Sequence, residues 1–245
     1  MILAAHQPAF MPWLGYLDKM NKCDVFVVMD DLQYEAQNFQ NRNRVKLNNG
    51  AQWLTVPLKK GSQNDRIIDK MVQNDAKPEE HWQRRMWQTL KTHYGRAPFF
   101  NRYAEELEGM FTTTWTHLVD LDLRMLELAR QWFGINRPIL RSSTLNLQGQ
   151  KTDRIVDMCQ KLGAKAYLSG KGGSSTYLET EKFAAIGSRV IWQHYVHPQY
   201  PQRYPQLGFV PYLGFLDLLL NCGPDSSVIA FASEQTSERI HGGSL

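Results

Sequence analysis

Hydrophobic positions along the chain fall in short continuous runs near its start and in helical stripes through its middle. Residues 2–5 form a brief apolar run that ends at His6, and residues 25–29 form a second, Val25-Phe26-Val27-Val28-Met29. A run of that length without polar alternation marks a strand covered on both faces. Between the two, Leu14, Leu17 and Met20 recur at helical spacing. Pro12 stands where a helix can begin, since the first turn needs no N–H there. Strand, short helix and buried strand predict a βαβ unit with parallel pairing. Residues 45–47 and 53–58 are strand-like and flank Asn48-Asn49-Gly50. Asn-Gly between two such runs is a hairpin signal, and this hairpin is expected to extend the sheet or cover a site.

From residue 78 the period becomes helical. Pro78, Glu79 and Glu80 suit a first turn, Trp82, Met86 and Leu90 share a face as far as Tyr94, and Gly95 is the stop. A second helix is expected over about 100–111. A third starts near 116, carries Leu118, Leu121, Met125, Leu128 and Trp132, and ends at Gly134. A strand follows at 139–140, a helix at 153–162 stopped by Gly163, strands at 166–168 and 190–192, and a short apolar helix at 214–220. The pattern predicts an α/β fold: one three-layer, Rossmann-like domain over residues 1–231 with a mostly parallel sheet, a β-hairpin and a helical insertion at about 78–134. A polar C-terminal tail over 232–245 completes the chain.

Composition narrows the class. The net charge of +4 over 245 residues falls short of the dense basic stripe of a nucleic-acid binder and suits an anionic small molecule. Cys23, Cys159 and Cys222 have neither metal-ligand nor redox spacing, which points to reduced thiols. The first residues lack the basic region of a signal peptide, and no apolar stretch is long enough to span a bilayer. A cytoplasmic protein with no membrane span and no nucleic-acid partner is expected.

In open parallel sheets ligands bind beyond the carboxyl ends of the strands, so the residues after each strand carry the functional reading. After the first come His6 and Gln7, then Gly15 and Tyr16, with Lys19 one turn into the helix. An imidazole there can act as acid, base or donor, and the helix start favours an anion. Gly15 permits either close approach of a ligand or helix packing. After the second strand come Asp30, Asp31 and Gln33, then Asn41, Arg42 and Asn43. The paired carboxylates can hold a hydroxylated substrate, a divalent ion or a shared proton. The amides and guanidinium suit phosphate or sugar hydroxyls. Ser169, Gly170, Lys171, Gly172 and Gly173 form a turn whose N–H groups can cradle phosphate, although it is not a Walker sequence. The segment from His194 to Tyr204, with His197 and Gln202, can wall a pocket. Its histidines lack a third metal ligand, so no protein-held metal is expected. Asp217, on the apolar helix, needs a partner if buried.

HQPAFMPWLGYLDKM, CDVFVVMDDLQY, NFQNRNRVK with GAQWLTVPL, YLSGKGGSSTYL, HPQYPQ and FLDLLLNCG together resemble the WbqC-like family of bacterial proteins. The resemblance implies a part in O-antigen or other surface-polysaccharide synthesis, as an acyl or aminoacyl (glycine) transferase acting on a nucleotide-linked amino sugar. It adds Tyr177 to the binding residues. It casts His6 as base or oxyanion donor, Asp30 or Asp31 as orienting the amine, and Lys19 with Arg42 as holding phosphate. The implied partners are a nucleotide sugar or amino sugar and an acyl or amino-acid donor, with ATP and Mg left open as cofactors. Gly214 stands where the family pattern leads one to expect a serine. A looser likeness is to pantothenate synthetase and related nucleotidylyl transferases, which have His-x-Gly-His where this chain has Trp13-Leu14-Gly15-Tyr16. That alternative leaves His6, Lys19 and Lys171 as donors to a phosphate; a non-catalytic sugar- or nucleotide-binding accessory protein is the other.

Overall fold

The structure, a computed structural model, describes residues 1–75, 77, 81–171 and 178–232. The apolar run at the start becomes β1 (Ile2–His6), the middle strand of a five-stranded sheet. Its neighbours are β2 (Val25–Val28) and β6 (Ala166–Ser169), with β5 (Ile139–Arg141) and β7 (Arg189–Trp192) at the edges. Every pairing is parallel, with His6 opposite Val28 and Ala4 opposite Leu168. Successive side chains point to opposite faces. Ala4, Phe26, Val28 and Leu168 therefore join one core, and Leu3, Ala5, Val27 and Tyr167 a second on the far side. Both faces are dry, which is why these strands read as unbroken apolar runs. The far face is covered by α5 (Lys151–Leu162) and α6 (Thr180–Ala185), through Ile155, Met158 and Phe183.

The near face carries α1 (Leu14–Asn21) and the helices that follow the hairpin: α2 (Trp82–Tyr94), α3 (Phe100–Thr112) and α4 (Leu118–Phe133). Trp87 of α2 stacks on Phe100 and Phe111, with ring centroids 5.7 and 6.2 Å away. Gly134 and Gly163 close α4 and α5 with φ of +66° and +67°, the left-handed cap that glycine adopts without steric penalty. Two further helices, α7 (Leu216–Cys222) and α8 (Ser226–Phe231), complete this layer, and every residue of α7 is buried. Among the described residues no helix is long and apolar enough to cross a membrane.

Several expectations shift. The hairpin, β3 (Arg42–Leu47) and β4 (Gly50–Thr55), does not extend the parallel sheet; it is an antiparallel sheet of its own. Side-chain and backbone bonds hold it instead: Asn43 Nδ2 donates to Met11 O at 2.6 Å, and Gly214 N donates to Arg44 O at 3.0 Å. Helix α1 starts at Leu14 rather than Pro12, because Trp13 is kept extended by a β-bridge to Gly214. That glycine is required by space, since a Cβ there would lie 2.9 Å from Met11 O. Helix α7 begins at Leu216, two residues later than its apolar run. Helices α6 and α8 are additional to the sequence pattern. The expected first turn at Pro78, Glu79 and Glu80 and the tail beyond Ala232 lie outside the described residues.

Candidate functional site

Numbered in chain order, the sheet strands run 3-2-1-4-5, so the order reverses between β1 and β6. The loops leaving two such strands diverge to opposite sides and leave a crevice at their carboxyl ends. His6 ends β1 and Ser169 ends β6. Lys19 of α1 is buried beside them and donates from Nζ to Ala5 O at 3.3 Å. A methyl group placed on Gly170 would lie 3.8 Å from that Nζ and 3.9 Å from Gln193 Oε1. Gln193, directly after β7, donates from Nε2 to Gly15 O at 2.8 Å and to Asp18 Oδ2 at 2.7 Å. The crevice thus gathers an imidazole and an amide from the ends of β1 and β7 and an ammonium from α1, around the end of β6.

Electrostatics follow from the packing. The His6 ring lies against Trp13 and Tyr16, with centroids 5.2 and 4.9 Å away. Burial first, and the Lys19 cation second, push the imidazole down to about 3, so it is neutral at physiological pH. Its Nδ1 is 3.1 Å from the Gln7 carbonyl, which can only accept; the proton therefore sits on Nδ1, and Nε2 carries the free lone pair. Burial also brings Lys19 down to about 8, close enough to neutrality to exchange a proton. Gln7 Oε1 accepts from Gln40 Nε2 at 2.8 Å, which fastens the loop after β1 to the loop after β2. The close approach that Gly15 permits is by Tyr195, whose Cδ1 would be 3.0 Å from an added Cβ.

The remaining sequence candidates are distributed differently. Asp30 is fully buried one strand over, with Arg141 Nε at 2.6 Å, Ser143 Oγ at 2.8 Å and Ser143 N at 3.0 Å. Burial raises its proton affinity, but Arg141 and Ser143 outweigh burial and hold the carboxyl below its usual range. Asp31 pairs with Arg154 and accepts from Ser142 Oγ. Each acid thus has its own arginine, and the Ser142 hydroxyl, 3.2 Å from Asp30 Oδ1, lies between the two. Asn41 clamps Val56 O at 2.8 Å and accepts from Tyr34 Oη at 3.1 Å. Arg42 lies over Trp53, 4.3 Å from the ring centroid, and donates to Gln37 O. Gln33 donates to Gln63 O at 2.8 Å on the surface.

His197 is spanned by Pro198 O at 2.8 Å and Tyr212 N at 3.1 Å, which uses both ring nitrogens. Gln202 binds Asp217 Oδ2 at 2.7 Å, and Tyr94 Oη donates to Asp217 Oδ1 at 2.7 Å; the buried acid has its partners. Gly172, Gly173 and Tyr177 lie outside the described residues. Among the described residues no group of three His, Cys, Asp or Glu side chains is placed to hold a metal ion, and the three cysteines are buried and free.

Sequence reasoning passed over Asp18, Gln193 and Asp122. Gln193 had a signal, its place immediately after a strand. Asp122 had a fainter one, a carboxylate inside the apolar stripe of a helix.

An open parallel sheet that reverses at β1, with its polar side chains drawn to that reversal, defines an α/β protein of Rossmann-like layout. Within that class the chain belongs to the WbqC-like protein family, whose model matches residues 7–229. It is 31% identical over 227 residues to the uncharacterized protein Rv1507c of Mycobacterium tuberculosis, covering 91% of this chain and 95% of the relative. No solved structure matches it.

Proposed function

We propose that the protein is a transferase that binds a phosphate-bearing, nucleotide-linked amino sugar in the crevice between β1 and β6 and joins an acyl or aminoacyl group, such as glycine, to the sugar amine. Its setting would be surface-polysaccharide synthesis. The observation that carries this reading is the pairing of a buried lysine with a neutral imidazole at the point where the strand order reverses. Lys19, short of other anions there, supplies the charge that a phosphate seeks. His6 Nε2 accepts the proton as the amine nitrogen attacks the acyl carbonyl. The C–N bond forms, the bond from the carbonyl carbon to the donor's leaving group breaks, and the leaving group takes the proton from the imidazole. Phosphate bound on Lys19 removes the smaller of the two causes that depress His6, so the base strengthens when substrate is present. ATP enters this scheme as the source of the activated donor. Asp30 and Asp31, with their arginine partners, brace the edge formed by β2 and β5.

The test is incubation of the purified protein with ATP, glycine and a panel of uridine-diphosphate amino sugars, read by mass spectrometry. An acylated sugar nucleotide is expected, and Lys19→Met should abolish it. Absence of product together with absence of thermal stabilisation by every sugar nucleotide would overturn the reading.

A further inference from the structure

The amide of Gln193 has a fixed direction that the scheme above does not use. Its backbone N–H donates to Ser169 O at 2.7 Å, which ties it to the end of β6. Its side chain reaches across to α1, where Nε2 donates to Gly15 O at 2.8 Å and to Asp18 Oδ2 at 2.7 Å. A peptide carbonyl only accepts, and the Asp18 carboxylate, fully buried and ion-paired with Lys22 at 2.9 Å, does the same. Both neighbours demand the NH2 end, so the amide is not free to flip. Its oxygen is turned the other way, and among the described residues Oε1 accepts no hydrogen bond. It faces the space beside Gly170. A methyl group built on that glycine would have two neighbours within 4 Å among the described residues, Lys19 Nζ and Gln193 Oε1. Gly170 and Gln193 both keep part of their surface exposed, so this space is no part of the core. It has a cationic donor on one side and a neutral acceptor on the other. Whatever seats there must accept from the ammonium and donate to the amide oxygen. A terminal phosphate dianion offers only lone pairs and fails the second demand. A sugar hydroxyl or neutral amine beside a phosphodiester meets both.

We infer that Gln193 selects the ligand of the crevice: across the space that Gly170 leaves open, its amide oxygen accepts a hydrogen bond from an O–H or N–H of the sugar, while Lys19 holds the adjoining phosphate. This rests on the sugar-nucleotide reading above and adds to it the residue that tells a sugar ester of a nucleoside diphosphate from the bare diphosphate. The bare diphosphate brings an extra charge and no donor to Oε1, so repulsion replaces the hydrogen bond. Asp18 is a positioning residue here, since it acts on the ligand only through the direction it gives Gln193. Gly170 contributes room. It does not have the left-handed φ that favours glycine, and an added Cβ would make only ordinary van der Waals contacts, so alanine fits the fold and fills the opening.

Calorimetric titration of the full chain tests this with two probes, the tightest-binding uridine-diphosphate amino sugar of the panel above and uridine diphosphate itself. The sugar nucleotide is expected to bind the wild type about tenfold more tightly, the worth of one hydrogen bond gained and one repulsion avoided. Gln193→Met keeps the length of the side chain and removes the amide. It should erase most of that advantage without weakening uridine diphosphate, whereas damage to the fold would weaken both probes alike. Gly170→Ala should keep the melting temperature of the unliganded protein within about 2 °C of the wild type. It should nevertheless weaken the sugar nucleotide by about tenfold. Should Gln193→Met not fold, Gly170→Ala decides alone. Equal affinities of the wild type for the two probes, an advantage that survives in Gln193→Met, or wild-type binding by Gly170→Ala would overturn the role of Gln193. The crevice reading would still stand if Lys19→Met weakened both probes. Failure of every sugar nucleotide to bind the wild type would overturn the two together.

Discussion

The Lys19 cation lowers the affinity of His6 for a proton, while burial lowers that of both. For Lys19 the consequence is a ligand affinity that depends on pH. In the proposed reading the ammonium holds phosphate, and it is lost as pH rises through about 8 in the free protein. Phosphate affinity should therefore fall above that pH. Lys19→Met should weaken binding by about 10- to 100-fold near neutrality and flatten the profile, measured by calorimetric titration from pH 6.5 to 9.5. For His6 the consequence lies in acid. Its folded value of about 3 is below the 6.5 of the unfolded chain, so between those limits the unfolded state binds more protons. The His6 contribution to stability is fully present above 6.5 and is lost as pH falls toward 3. His6→Gln should have a shallower loss of melting temperature over that window; an unchanged slope would mean that the ring is protonated without cost in the folded state.

At the scale of elements, what the chain spelled out was whatever has a period. Continuous apolar runs gave β1, β2 and β6, and helical stripes gave α2, α3, α4 and α5, because burial on one face or two leaves a repeat in the sequence. Helix α6 left no such mark, since of its six residues only Phe183 is buried. The anchoring of the hairpin was also hidden. Asn41, Asn43 and Arg42 read as a polar, ligand-like cluster, yet Asn41 and Asn43 spend their amides on backbone and Arg42 stacks on Trp53. Composition cannot distinguish an amide that meets a sugar from one that meets a carbonyl in another loop. Within the crevice, the ends of β1 and β6 were legible from the strand-end rule, and the same rule carried one strand further, to β7, reaches Gln193. Asn43 shows what such an amide does. It binds the carbonyls of Met11 and Phe10, and Met11 has a φ of +45°, a strained value for a residue with a side chain. Asn43→Ala should cost about 1 to 3 kcal/mol in denaturant unfolding, because it leaves two buried carbonyls without their donor. Release of the loop that sets Trp13 should lower ligand affinity in the same variant. Full stability would show that the loop holds its turn unaided.

Across the whole molecule, burial is nearly complete in the two cores on either side of the sheet, and the unpartnered groups Tyr16, Tyr195 and Asp122 stand out against it. A buried carboxyl without a partner is held at a cost to the fold. Asp122 makes that cost measurable through pH. Its folded proton affinity is raised well above the usual carboxyl range by burial, so above about pH 4 the unfolded chain has lost this proton and the folded chain keeps it. The folded state then binds more protons, and stability declines as pH rises, by up to about 1.4 kcal/mol per pH unit for this one group. Asp122→Asn has no proton to hold. It should match the wild type near pH 4 and become the more stable of the two as pH rises from there, in melting curves. If the two proteins instead kept a constant difference at every pH, Asp122 would be stabilised within the fold as a carboxylate.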